Sequence, residues 1–170
     1  MLKLVWSLVQ NSAGVATKKG ALAQARRALL INPNLTQAHR LLGGTLISSG
    51  QSKEGLAALK TCIRLDPRAP RSGAQLMLIT MGLYFSREYA RCAEAAKEGI
   101  RSFPDFPTYR WLTAVLGQLG RSEEAKKALE RAIAVAPASF DFHVRGRPPW
   151  FRPEDHAHMV EGLRKAGWRG

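Results

Sequence analysis

Residues 119–137 read LGRSEEAKKALERAIAVAP, and this stretch decides the fold. Gly120, Ser122 and the acids Glu123 and Glu124 precede a run in which Ala125, Leu129, Ala132 and Ile133 recur at three- and four-residue spacing. That spacing lays one apolar stripe along a helix. Acids in a first turn suit the helix dipole, and Pro137 cannot continue the helix. The same pattern returns in SGQSKEGLAALKTCIRLDP (49–67) and SREYARCAEAAKEGIRSFP (86–104), and in degenerate form in KKGALAQARRALLINP (18–33). The closing prolines, Pro33, Pro67, Pro104 and Pro137, lie 34, 37 and 33 residues apart. Ser52, Ser86 and Ser122 are expected to cap these helices. Ahead of each lies another apolar helix, expected over 35–48, roughly 73–85 and roughly 107–119. Gly50 and Gly120 fall in the turns between paired helices, where a left-handed residue is wanted.

In this register the chain resembles the tetratricopeptide repeat family, whose period is about 34 residues. The family's second helix carries a small residue, a larger one four on, and a small one three later. Gly55, Leu59 and Cys62 fill these places, then Cys92, Ala96 and Gly99, then Ala125, Leu129 and Ala132. Leu42-Gly43 supplies the pair expected in a first helix. The resemblance implies an all-α, right-handed α-solenoid of helical hairpins. It divides the chain into a poorly matching segment (1–20), an array (21–137) and a C-terminal part (138–170). The array comprises a partial repeat (21–35) and repeats at 36–69, 73–105 and 106–137.

The wording of residues 31–68 and 107–141, with RPEDHAHMVEGLRKAGW at 152–168, is also similar to the C-terminal repeats of bacterial class III adenylate/guanylate cyclases. In that family the catalytic domain lies upstream. The 170 residues leave no room for it and display neither its paired metal-binding carboxylates nor its strands. The expectation is therefore a non-enzyme, with a regulatory or oligomerising cyclase segment as the alternative.

Composition narrows the classes further. A hydrophobic content of 45% argues against wholesale disorder. Two cysteines make neither a disulfide framework nor a zinc site; Cys62 and Cys92 are expected in packing, and a cytoplasmic setting follows by default. Met1–Val9 is apolar but broken by Trp6-Ser7, a poor export signal, and no run reaches the length of a membrane span. His156 and His158 are two apart and share no helical face. No cofactor, metal or catalytic site is expected. The net charge of +13 raises a nucleic-acid binder as a further alternative, yet opposite charges interleave on the second helices, as in Glu94, Lys97 and Glu98.

The family's concave surface is built mainly from first helices. The register places Gln37, Arg40, Ile47, Met77, Met81, Tyr84, Phe85, Arg110 and Gln118 there, a mixed Arg-Met-aromatic groove for a peptide or protein partner. Part of the Met strip is equally readable as core. Gly44 and Ala114 stand where some relatives carry an asparagine that clamps chaperone tails, so that ligand is not expected. Arg145–Phe151 should be extended because of Pro148-Pro149, and Pro153 should open a last helix stopped by Gly167. That helix is expected to cap the array; Trp150 and Phe151 as a partner anchor is the other reading. A weak first repeat leaves an apolar edge that invites homo-oligomers.

Overall fold

The computed structural model describes residues 15–67, 72–104 and 107–170. Among them it contains nine α-helices and no strand: α1 (Val15–Ile31), α2 (Thr36–Ser48), α3 (Ser52–Leu65), α4 (Gly73–Phe85), α5 (Tyr89–Ser102), α6 (Tyr109–Gln118), α7 (Ser122–Val135), α8 (Pro137–Val144) and α9 (Pro153–Lys165). The apolar N-terminal residues 1–14, where the export-signal question arose, lie outside the described residues. Residues 15–20 open α1.

The chain forms two compact units, Met1–Ala69 and Pro70–Gly170. In the first, α1 packs on α2, and α2 pairs with α3. The α2–α3 crossing is close enough to require two glycines. A Cβ on Gly43 would lie 2.9 Å from the Gly55 carbonyl oxygen, and one on Gly55 would lie 2.7 Å from the Gly43 oxygen. In the second unit α4 pairs with α5 and α6 with α7, and α6 also packs on α5.

The three hairpin turns share one construction. Gln51 N–H donates to the Leu46 carbonyl (2.9 Å), Glu88 to Leu83 (3.0 Å) and Arg121 to Leu116 (3.0 Å). Gly50, Arg87 and Gly120, one residue earlier, adopt φ of 86°, 60° and 70°. This six-to-one bond behind a left-handed residue is the Schellman ending. Gln51, Glu88 and Arg121 are at the same time the N-caps of α3, α5 and α7. None of the three expected serines is therefore a cap. Ser52 and Ser122 are already the first helical residues, and Ser86 closes α4. Among the described residues, only Ser72 caps by side chain, accepting from the Gln75 amide at 3.2 Å.

In the middle turn Arg87, rather than glycine, holds the left-handed position. A Cβ residue is disfavoured there by about 1 kcal/mol. Arg87→Gly is expected to raise stability by about 0.5–1 kcal/mol, read from the denaturation midpoint. An unchanged or lowered midpoint would mean that the Arg87 side chain offsets its backbone strain.

Cys62 and Cys92 take the packed positions that small residues fill in this register. Cys92 is fully buried, donates to the Thr80 carbonyl, and its thiol is pushed up to about 12 by burial. It is inert as a nucleophile.

Candidate functional site

In the second unit the first-helix face is made by the C-terminal end of α4 and by α6. Tyr84 and Phe85 stand beside Trp111, with ring centroids 5.5 and 5.4 Å from it. This face does not stand open. Beyond α7 the chain turns at once into α8, because Pro137, which cannot continue α7, acts as the first residue of a new helix. The segment 145–152 then leads Phe151 into the aromatic cluster, 6.1 Å from Trp111 and 6.3 Å from Phe85. The last helix, α9, comes to rest along α6.

The α6–α9 contact is backbone to backbone. A Cβ on Gly162 would meet the Ala114 carbonyl oxygen at 2.6 Å and Tyr84 Oη at 2.5 Å, and one on Gly117 would strike the Gly162 carbonyl. Polar side chains fasten the helix. Tyr84 Oη donates to the His158 carbonyl (2.9 Å), Gln118 Nε2 donates to Tyr84 Oη (3.4 Å), and Lys165 Nζ donates to Gln118 Oε1 (2.8 Å). The His158 ring stacks on Tyr84 at 4.6 Å and shares a hydrogen bond with Tyr89 Oη at 2.8 Å. Met159 and Leu163 are completely buried. The capping helix thus covers the first-helix face as well as following the last hairpin.

The expected groove residues divide accordingly. In the first unit Gln37 is exposed and accepts from Arg40 (2.6 and 3.1 Å), while Ile47 is wholly buried. In the second, Met77 and Met81 are core residues. Tyr84, Phe85 and Gln118 come together under the C-terminal segment, and burial pushes the Tyr84 hydroxyl well above its ordinary range. Arg110 is only 3% exposed, and its Nε and Nη1 have no hydrogen-bond partner. Its guanidinium sits over the Trp111 ring at 5.5 Å, and burial lowers its pKa to about 10. Trp111, Tyr89, His158 and Gly162 complete the arrangement and were not among the residues expected in the groove. The one available signal was a glycine in the C-terminal half of each facing helix, Gly117 and Gly162.

Two histidines tie the segment to pH. Burial, then Arg110 and the neighbouring His156, lower the pKa of His143 to about 4 against the bond to the Ser139 carbonyl. Burial, then Arg87 and Lys165, lower that of His158 against Glu161 and Asp155; Tyr84 and Tyr89 face it as well. Both rings are neutral when folded and gain a proton more readily when released. The contribution of His143 is full above about pH 6.5 and is lost as pH falls towards 4, and that of His158 is lost in the same direction. For His143 this amounts to on the order of 1–2 kcal/mol after allowance for its partial exposure. Tryptophan fluorescence of the full chain is expected to report release of the segment in that window, and His143→Gln to flatten the response. An equal response in that variant would remove His143 from the account.

The tetratricopeptide repeat family model matches residues 115–139, which run from mid-α6 through α7 into α8. No curated protein sequence matches the chain. Solved structures do. A crystal structure of MamA superposes with a TM-score of 0.63 at 20% identity, covering 89% of this chain and 87% of that one. MamA from Desulfovibrio magneticus RS-1 gives 0.64 at 15%, covering 89% and 84%. YrrB, described as a TPR protein with an unusual peptide-binding site, gives 0.59 at 15%, covering 88% and 76%. Among the described residues no group of His, Cys, Asp and Glu is arranged to hold a metal, and no helix is long and apolar enough to cross a membrane. Helical hairpins of constant construction, a matched repeat at 115–139 and superposition on tetratricopeptide structures together make this an all-α protein of the tetratricopeptide helical-repeat fold.

Proposed function

We propose that the chain is a non-catalytic protein-interaction scaffold that seats a helical segment of a partner on the first-helix face of its second unit. One observation carries this reading: the face already seats a helix, the chain's own α9, through a glycine-lined backbone contact and a ring of polar fasteners. A surface shaped for one amphipathic helix offers apolar anchors at helical spacing to another. The peptide-binding site named for YrrB supports the same use of the fold. In the first unit the exposed Gln37 and half-buried Arg40 offer polar contacts to the same class of partner.

The test exchanges the helix. In a Gly162→Leu chain, whose own α9 no longer fits, a labelled peptide of residues 150–168 is expected to bind in trans and to raise fluorescence anisotropy saturably. The wild-type chain should bind it at least ~10-fold more weakly, because the tethered helix competes at high effective concentration. Equal, weak binding to both would remove the groove from the proposal. Binding would also give a second copy of the chain a route to exchange C-terminal segments, as in domain-swapped dimers. The similarity of the repeat wording to cyclase tails supports a second setting for the same scaffold, next to a nucleotide cyclase. A cyclase domain encoded immediately upstream would bear it out, and an unrelated intact gene there would count against it.

A further inference from the structure

We propose that the C-terminal end of α1, in the first unit, is a docking surface for an anionic lipid membrane, with Leu30 and Ile31 entering the interface and Arg26 and Arg27 meeting the headgroups. The surface lies on a different helix from the seat of α9, so the inference stands apart from the scaffold reading.

Leu30 and Ile31 are the most exposed large apolar side chains among the described residues, at 85% and 80%. Leu35, in the connection that follows, is exposed as well. The repeat register sets them apart. Counted back from the closing prolines, Leu30 takes the place of Arg64 in α3, Arg101 in α5 and Ala134 in α7. Ile31 takes the place of Leu65, Ser102 and Val135, and both Leu65 and Val135 are half-buried. Of these four helices, α1 is the one that presents two exposed large aliphatics at its end.

Charge marks the same face. Arg26 and Leu30 are four residues apart, as are Arg27 and Ile31, so each pair is adjacent on the helix surface. Both arginines are exposed, and Lys19, two turns earlier, is exposed too. Elsewhere the exposed cations of α5 and α7 are balanced locally: Arg91 by Glu88, Lys97 by Glu94 and Lys126 by Glu123. Helix α1 contains no acid, and the acids of the first unit, Glu54 and Asp66, lie in α3 and just beyond it. Among the described residues neither Arg26 nor Arg27 forms an ion pair.

These features fit one occupant. Side chains with four-fifths of their surface free form a ridge, not the wall of a cleft, and a ridge suits a deformable medium. An anionic bilayer interface takes this combination: the aliphatics leave water while long arginine stems carry their charges to the lipid phosphates. A second copy meeting this face with its own would set Arg26 and Arg27 against themselves. Duplex nucleic acid would satisfy the cations through its phosphates but leave the aliphatics in water.

The experiment sediments the full chain with vesicles of phosphatidylcholine mixed with phosphatidylglycerol, and with vesicles of phosphatidylcholine alone. Binding to the mixed vesicles and little to the neutral ones is expected. Arg26→Gln with Arg27→Gln should weaken it about 25-fold, at roughly fivefold per cation near an anionic surface. Leu30→Gln with Ile31→Gln should weaken it at least ~10-fold, since two aliphatic side chains no longer leave water. All four residues are exposed, so both variants should melt near the wild-type temperature. Leu30→Trp should bind at least as tightly as wild type, because indole favours the interface, and should add a blue-shifted emission with mixed vesicles only. Lys126→Gln with Lys127→Gln removes the same charge from α7 and should bind as wild type does. An equal loss in that variant would reduce the interaction to net charge and overturn the inference. Undiminished binding of the Leu30, Ile31 variant, or no binding of the wild type to mixed vesicles, would overturn it as well. Duplex DNA bound more tightly than the vesicles, with no loss in the Leu30, Ile31 variant, would make the partner a nucleic acid instead.

Discussion

Trp111→Ala is expected to cost the second unit about 3–5 kcal/mol, the range for emptying a buried aromatic site. Trp111 is completely buried, and it is the point where helices α4 and α6 and the C-terminal segment meet: Tyr84, Phe85 and Phe151 all lie within 6.1 Å of its ring. Its neighbours belong to three separate stretches of chain, so no single element can collapse into the void. A loss of this size is a large share of the stability of a small domain, typically about 5–15 kcal/mol. Urea denaturation followed by circular dichroism should show a transition at much lower midpoint. Trp111→Phe separates size from polarity. The indole N–H has no partner, so phenylalanine forfeits volume but no hydrogen bond, and its cost should be well under half that of alanine. A cost below about 1 kcal/mol for Trp111→Ala would show that the aromatic cluster is not core.

Gly162→Leu is the second large effect, and its interest lies in opposed contributions. In an isolated helix, replacing glycine by leucine is worth nearly 1 kcal/mol in favour of the helix. In α9 any side chain at 162 would run into the Ala114 carbonyl and the Tyr84 hydroxyl. The Ala114 group is backbone and cannot turn aside. Separating α9 from α6 would uncover Met159, Val160 and Leu163, each worth about 1.5–3 kcal/mol when fully buried, before the entropy regained by a freed segment is deducted. A net loss on the order of 3 kcal/mol in docking is expected. Limited trypsin digestion should cut at Arg164 and Lys165 in the variant well before the wild type, while the hairpins α4–α5 and α6–α7 stay protected. A variant as resistant as wild type would mean that α9 finds another seat.

The hairpins were legible because their signals are local. Apolar spacing, Gly50 and Gly120 in the turns, and small residues at Gly55, Cys62, Cys92 and Ala125 each report on a few neighbouring residues. The last helix was legible for the same reason, with Pro153 opening it and Gly167, at φ 100°, closing it. The serine caps misled because the turns are one step tighter than a separate cap allows. Helix α8 was missed because proline carries two opposite meanings: at Pro137 it ends one helix and begins the next. The residues expected in the groove lie on α2, α4 and α6, but the burial of Tyr84 depends on a pairing with His158, 74 residues away in sequence. No periodicity encodes a partner at that distance.

The shared turn residue also governs where this chain tolerates change of length. Each hairpin turn spends three residues, 49–51, 86–88 and 119–121, and the last of each is committed to both helices at once. An insertion or deletion there breaks two helix ends together. The connections between hairpins, by contrast, differ in length, with four residues at 32–35, seven at 66–72 and six at 103–108. The array behaves as a set of indivisible clips on an adjustable cord: loops, tags or inserted domains belong in the cord.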